Sequence, residues 1–253
     1  MITDPLFYAA AVPAVILMGL AKGGFSGLGL LSLPLMALVV SPVQSAAIML
    51  PILIVQDVVT VWAYRRSWDP RNVLILVPAA IFGIVLGYLL AAEVSEAAVT
   101  LAVGIISVSF AARRLVLERR AEQPEAAPAD IPRGVFWGIV SGFTSMIAHA
   151  GGPPFQIYVM PQRLAREVFV GTGAIVFALI NWIKVAPYLA LGQFTPQNLA
   201  SSAALFPVAI LSTWAGVLLV RRVTGDSFYT IVYVLLILVG SKLLFNGFSS
   251  LNG

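Results

Sequence analysis

Lys22-Gly23-Gly24-Phe25-Ser26-Gly27-Leu28-Gly29 interrupts an apolar stretch from about 5 to 40, and Ala148-His149-Ala150-Gly151-Gly152-Pro153-Pro154 interrupts another from about 134 to 161. Neither stretch can be one continuous helix, because glycine costs about 1 kcal/mol and proline about 3 kcal/mol in a helix interior. Each reads as a hairpin of short, interrupted helices. Outward from them, uninterrupted apolar runs cover 43–64, 72–92, 95–117, 168–190, 199–220 and 227–248. Each run supplies the ~20 residues that a bilayer crossing needs. Between the halves, Glu118 to Arg133 is charged and rich in alanine and proline, which is a solvated linker.

Composition agrees with a membrane protein. Of the 253 residues 60% are hydrophobic and only 10% charged, against about 25% charged in a soluble domain, and the mean hydropathy is +0.97. No soluble domain has room to exist. The net charge of +4 comes from short basic clusters between apolar runs, which reads as an orientation signal rather than a nucleic-acid surface. Without cysteine there are no disulfides, thiolate metal sites or cysteine nucleophiles. The start, Met1-Ile-Thr-Asp4-Pro5, is acidic where a signal peptide is basic, so the first segment is expected to stay in the mature protein.

The order of parts repeats: broken hairpin, three long segments, linker, broken hairpin, three long segments. Trp68-Asp69-Pro70-Arg71-Asn72 matches Phe194-Thr195-Pro196-Gln197-Asn198 in aromatic, proline and asparagine. Pro78, Gly83 and Gly87 fall against Pro207, Ser212 and Gly216 at one constant offset, and Gly19 and Gly29 against Gly142 and Gly152. The expected units are a first transmembrane repeat at 1–117, a cytoplasmic linker at 118–133 and a second repeat at 134–253. Arginines mark the topology, since they accumulate in short cytoplasmic loops. All lie at Arg65, Arg66 and Arg71, in and beside the linker, at Arg163 and Arg166, or at Arg221 and Arg222, while the loops near 93–96 and 191–198 have none. This pattern requires each hairpin to return to its starting side, the first from outside and the second from the cytoplasm. The expected fold is thus an all-α integral membrane protein of two inverted repeats, with both termini outside. That plan belongs to alternating-access transporters with a midplane site between the halves.

All three lysines, Lys22, Lys184 and Lys242, fall inside or at the ends of apolar segments, where a central charge costs about 2.5–3.5 kcal/mol and needs a cavity or a partner. Lys22 abuts the first break and is a binding candidate, or else the structural partner of Asp57. Asp57, the one carboxylate deep in a long segment, is a coupling or ion-pair candidate. Lys184 is a further coupling or ion-pair candidate, or else close enough to an outer boundary to snorkel, and Lys242 lies near the end of the last segment. His149, the only histidine, sits in the second break, and an imidazole suits proton coupling. No second histidine or carboxylate cluster accompanies it, so no metal or cofactor is expected.

Where a helix restarts at mid-membrane, its free N–H groups and positive dipole attract an anion, and glycine lets the ligand reach the backbone. The expected binding residues are Lys22, Gly23, Gly24, Ser26, Gly27, Gly29, Ser145, His149, Gly151, Gly152, Gln156 and Asn181. Thr144 is a further hydroxyl within reach. Gly83 and Gly87, four apart, read as helix-packing residues instead.

Gly19-Leu-Ala-Lys-Gly-Gly-Phe-Ser-Gly-Leu-Gly29, followed by Leu33-Pro34-Leu35, and its degenerate copy Gly142 to Pro154 resemble the TauE/SafE sulfite exporter family, also called TSUP. The likeness covers nearly the whole chain. It implies a transporter in the bacterial or archaeal cell membrane that moves sulfite, sulfoacetate or a related sulfur-containing anion, usually outward. His149 and Pro153-Pro154 depart from the glycine run at the expected binding loop, which leaves the anion open.

The leading expectation is a secondary transporter, a non-enzyme, for a small sulfur-containing anion bound between the two breaks. Partners are that anion and the bilayer; proton coupling and a homodimer are left open. The alternative is an inverted-repeat drug/metabolite-type carrier of an amine or neutral metabolite, for which Asp57 would matter more than Lys22. An intramembrane lipid-phosphate enzyme would need clustered carboxylates, or histidine with serine and arginine, and a retinal-type pigment on Lys242 sits poorly with a lysine near a helix end. No G-x-x-x-x-G-K-[ST] loop is present, so the chain alone does not couple to ATP.

Overall fold

The structure, a computed structural model, describes residues 1–25, 27–91, 93, 95–117, 127–219 and 226–252. The described residues form α1 (Pro5–Gly23), α2 (Ser32–Met36), α3 (Pro42–Tyr64), α4 (Pro70–Ala91), α5 (Glu96–Leu117), α6 (Ile131–Ala148), α7 (Gly152–Val159), α8 (Arg166–Ala190), α9 (Pro196–Leu219) and α10 (Asp226–Asn252), with short 3-10 turns at Leu28–Leu31 and Met160–Gln162. The protein is an all-α membrane protein. Among the described residues, five stretches are long and apolar enough to cross a bilayer: α1, α3, α4 as far as Leu90, α8 and α9. The six uninterrupted apolar runs of the sequence are α3, α4, α5, α8, α9 and α10.

The hairpins differ from the expected pair of short arms. Their first arms are long, 19 residues in α1 and 18 in α6, and their second arms short, 5 residues in α2 and 8 in α7. At 1.5 Å per residue α1 is ~28 Å long. Interior glycines do not stop α1 or α6 because they face a neighbouring helix, where the lost side chain is replaced by close backbone packing.

Helix starts follow the sequence closely. Asp4, Ser41 and Asp130 cap α1, α3 and α6 by accepting from Leu6 N at 2.9 Å, Gln44 N at 3.2 Å and Arg133 N at 2.8 Å, each before a proline in the first turn. The two matched motifs do the same work. Asp69 accepts from Asn72 N at 2.7 Å, and Thr195 accepts from Asn198 N at 3.1 Å. Each asparagine then holds the exit of a hairpin in the other half: Asn72 donates to Gln162 Oε1 at 2.9 Å, and Asn198 accepts from Gln44 Nε2 at 3.1 Å.

Glycines set the long contacts. A Cβ on Gly23 would stand 2.4 Å from the Gly216 backbone, and one on Gly19 2.8 Å from Thr213 N, so α1 lies tight against α9. A Cβ on Gly83 would be 2.0 Å from the Ile139 carbonyl oxygen, and one on Gly142 2.1 Å from that of Ala80, so α6 lies tight against α4. Ile2 and Gly23 meet Ser201 and Gly216, while Gly134 and Met146 meet Ile75 and Gly87, so both pairs run in parallel. α5 and α10 run antiparallel, with Gly104 against Gly240 and Gly247 against Ala97.

These contacts fix two ends of the molecule. α4, α6 and α8 begin together, with Asp69 N donating to Thr172 Oγ1 at 2.9 Å and Gly134 packed against Ile75 and Tyr158. Arg65, Arg66, Arg71, Arg133, Arg163 and Arg166 gather there, at the arginine end. α1, α3 and α9 begin at the far end. Each hairpin brings the chain back to the end it started from.

Candidate functional site

Both breaks are built on left-handed backbone. Gly24 (φ 131°) ends α1 and Gly27 (φ 100°) precedes the 3-10 turn, conformations that glycine alone adopts freely. In the second break His149 itself takes the left-handed position (φ 50°) and closes α6 by donating from its backbone N–H to Ser145 O at 3.1 Å. Glycine is the usual residue there, and histidine is among the side chains better tolerated. The histidine ring is thereby turned into the protein at a fixed place.

Around the breaks the chain gathers a buried polar cluster. Lys22 pairs with Asp57 Oδ1, and Asn181 donates to Asp57 Oδ2 at 2.7 Å. Asp57 is 2% exposed and Lys22 12%. On the far-end side of that contact, His149 Nε2 lies 2.8 Å from the Ala46 carbonyl oxygen, and Lys184 Nζ lies 2.7 Å from His149 Nδ1. Lys184 also donates to the Ser145 carbonyl oxygen at 3.1 Å and to Ser145 Oγ at 3.0 Å. The Tyr188 ring stacks on His149 at 6.0 Å. Lys184 is therefore not a snorkelling residue: it is 0% exposed, because α8 turns it inward on the face of Asn181 and Tyr188.

A cavity of about 140 Å³ lies on the arginine-end side of the Asp57–Asn181 contact. Of the expected site residues, Lys22, Gly24, Gly27, Gly29, Asp57, Ser145, His149, Gly152, Gln156 and Asn181 line it. Gly23 lies against Gly216 and serves helix packing, and Gly151 sits under Ser141, whose Oγ donates to its carbonyl oxygen at 2.8 Å. Ser26 lies outside the described residues. Thr144 spends its hydroxyl on backbone carbonyls, including Ala150 O at 3.0 Å. Lys242 is exposed on α10, away from the cavity.

The restarting helices offer fewer N–H groups than the sequence suggests. The first break resumes in a 3-10 turn and the five-residue α2, which is too short for a useful dipole. In α7, Pro153 and Pro154 have no N–H and Phe155 N already bonds Gly151 O at 3.2 Å, leaving Gly152 N at the cavity. The space above Gly152 is open, since a Cβ there would meet nothing nearer than Gln156 Nε2 at 3.8 Å. Positive charge at this site must come chiefly from side chains.

Sequence reasoning missed Thr60, Leu53, Phe155 and Phe177, which also line the cavity. Thr60 was within reach, since it shares a helix face with Asp57 three residues earlier. The aromatic and aliphatic walls carry no such mark in a chain that is apolar throughout. A second cavity, about 120 Å³ and apolar, lies toward the far end between Ala46, Gly87, Met146, Tyr188 and Gln193. His149 and Tyr188 stand between the two. Among the described residues, no three His, Cys, Asp or Glu side chains come together in a metal-binding group.

Comparison with curated proteins and with solved structures finds no match. The family model for the sulfite exporter TauE/SafE matches residues 11–243, which takes in both breaks, the polar cluster and nearly all of the ten helices. The chain belongs to the TauE/SafE sulfite exporter family, a family of membrane transporters.

Proposed function

We propose that the protein is a secondary transporter that exports a small sulfur-containing anion, sulfite or an organosulfonate, bound in the cavity between the two helix breaks. The carrying observation is the buried cluster of Lys22, Asp57, Asn181 and His149 lining one cavity at those breaks. Buried polar and charged groups inside a membrane protein mark substrate pathways. Lys22, the open backbone of Gly152 and the side chain of Gln156 line the same cavity, so an amine, a backbone and a side-chain amide face a space sized for a small ion.

We infer that the two halves are inverted repeats, 1–117 and 134–253 about the linker. The swapped packing supports this: α1 of the first half rests on α9 of the second, and α6 of the second on α4 of the first. Tyr64 donates to Gly23 O at 2.8 Å, and its counterpart Tyr188 donates to Met146 O at 3.2 Å. With the arginine loops cytoplasmic, the cavity is the inward-facing one and loads from the cytoplasm. His149 against Ala46 and Tyr188 against Met146 close the other side, as alternating access requires.

An amine carrier would need Asp57 free for its cargo. Both carboxylate oxygens are held, one by Lys22 and one by Asn181.

Binding to purified protein tests the reading, with a panel of sulfite, sulfate, sulfoacetate, taurine and chloride on wild type and Lys22→Ala. Saturable sulfite or sulfonate binding that collapses in the variant supports it. No anion binding, with the variant merely less stable, makes the lysine structural and returns the amine or neutral-metabolite carrier.

A further inference from the structure

Lys184 holds a fully buried amine that the proposed anion site does not use. Its Nζ has three acceptors around it, the Ser145 carbonyl oxygen, Ser145 Oγ and His149 Nδ1, at 3.1, 3.0 and 2.7 Å. Three acceptors match the three N–H bonds of an ammonium. None is a carboxylate. Asp57, the one carboxylate among the described residues lining the cavity, is already taken by Lys22 and Asn181.

The hydrogen bonds also limit how protons are shared. A carbonyl oxygen only accepts, so the Ala46 oxygen, 2.8 Å from His149 Nε2, requires a hydrogen on Nε2. His149 Nδ1 then shares a single proton with Lys184 Nζ. With Ser145 Oγ accepting from Nζ, the pair carries one positive charge on either side of that proton: ammonium with neutral imidazole, or neutral amine with imidazolium. Lys22 and Asp57 cancel each other. In this arrangement the cluster presents one uncompensated positive charge, and His149 and Ser145 bring it to the cavity wall.

We propose that Lys184, acting through His149 and Ser145, sets the charge of the ligand, so that the site selects a monoanion over a dianion. This rests on the anion-transporter reading above. A monoanion, such as hydrogensulfite or a monosulfonate, leaves the buried cluster neutral. A dianion leaves one negative charge uncompensated away from water, which burial penalises heavily. The groups facing the pair are Lys22 from α1, Asp57 from α3 and Tyr188 from α8.

Methanesulfonate and sulfate are of similar size and differ in charge, one monoanionic and one dianionic near neutral pH. Their equilibrium binding at one pH to purified wild-type protein is the test, alongside Lys184→Met. The expected result is methanesulfonate binding at least about tenfold tighter than sulfate, with that preference lost in the variant through weaker methanesulfonate binding. Sulfate binding as tightly as methanesulfonate to wild type overturns the proposal while leaving the transporter reading intact. So does a folded Lys184→Met that keeps the wild-type preference. Should Lys184→Met not fold, the wild-type ratio alone decides. If wild type binds none of methanesulfonate, sulfate, sulfite and sulfoacetate, the anion reading itself falls and takes this proposal with it.

Discussion

Asn181 of α8 donates a 2.7 Å hydrogen bond to the Asp57 carboxylate of α3 at the base of the cavity, joining residues 124 apart in the chain. The contact ties the helix that follows the first hairpin to the helix that follows the second. Hydrogen bonds to charged groups contribute about 1.5–3 kcal/mol, and losing one leaves the buried Asp57 oxygen without that partner. Asn181→Leu is expected to lower stability by that order, read as a drop in the thermal unfolding midpoint in detergent. An unchanged midpoint would show that the contact does not hold α3 to α8.

The Lys22–Asp57 pair separates structure from binding. Asp57→Asn alone strands the lysine charge and should destabilise by up to about 3–5 kcal/mol. Lys22→Met with Asp57→Asn removes both charges and should regain much of that stability, because a buried pair contributes little net. Sulfite binding should nonetheless be lost in the double variant, because Lys22 is gone. A stable double variant that binds sulfite like wild type would make the pair a structural device only.

Glycines with packing roles should behave unlike the glycine at the cavity. Gly83→Ala drives a methyl to within 2.0 Å of the Ile139 oxygen, so α4 and α6 must separate. Overpacking of this kind costs about 1–3 kcal/mol. Gly152→Ala meets nothing within 3.4 Å and should shift stability by less than about 0.5 kcal/mol. Thermal unfolding of the two variants side by side checks the contrast, and equal losses would contradict it.

A proton-coupling role for His149 predicts that transport responds to pH. Its ring joins Ala46 on α3 to Lys184 on α8, and a second proton on the Lys184–His149 pair would set imidazolium against ammonium. Acid should therefore weaken this far-end closure. His149→Gln is expected to flatten the pH profile of flux in proteoliposomes, and His149→Asn, which tolerates the left-handed backbone better, should do the same with less loss of stability. An unchanged profile in either folded variant would remove histidine from coupling.

Much of the fold was legible because bilayer physics is severe. Six apolar runs, the matched motifs at Trp68 and Phe194 that precede α4 and α9, and the glycine breaks all carried their structure in local sequence. Arm lengths were not legible, since Gly142 in α6 looks like a breaker until Ala80 of α4 is placed against it. The Lys22–Asp57 pairing was weighed from the sequence as one of two roles. Snorkelling was the wrong reading of Lys184 because distance along the chain from a membrane boundary does not reveal which way α8 faces; the three- and four-residue spacings to Asn181 and Tyr188 put all three on one face. The Asp57–Asn181 and Lys184–His149 contacts join elements distant in sequence, and no local pattern announces them.

The most direct test of an anion site in this cavity is sulfite binding to wild type and to Gly152→Leu, which fills the open space above Gly152 without touching any charge. Saturable binding in wild type, and its loss in a variant with an unchanged unfolding midpoint, is the predicted result. Equal affinity in both proteins would place the anion elsewhere and contradict the account.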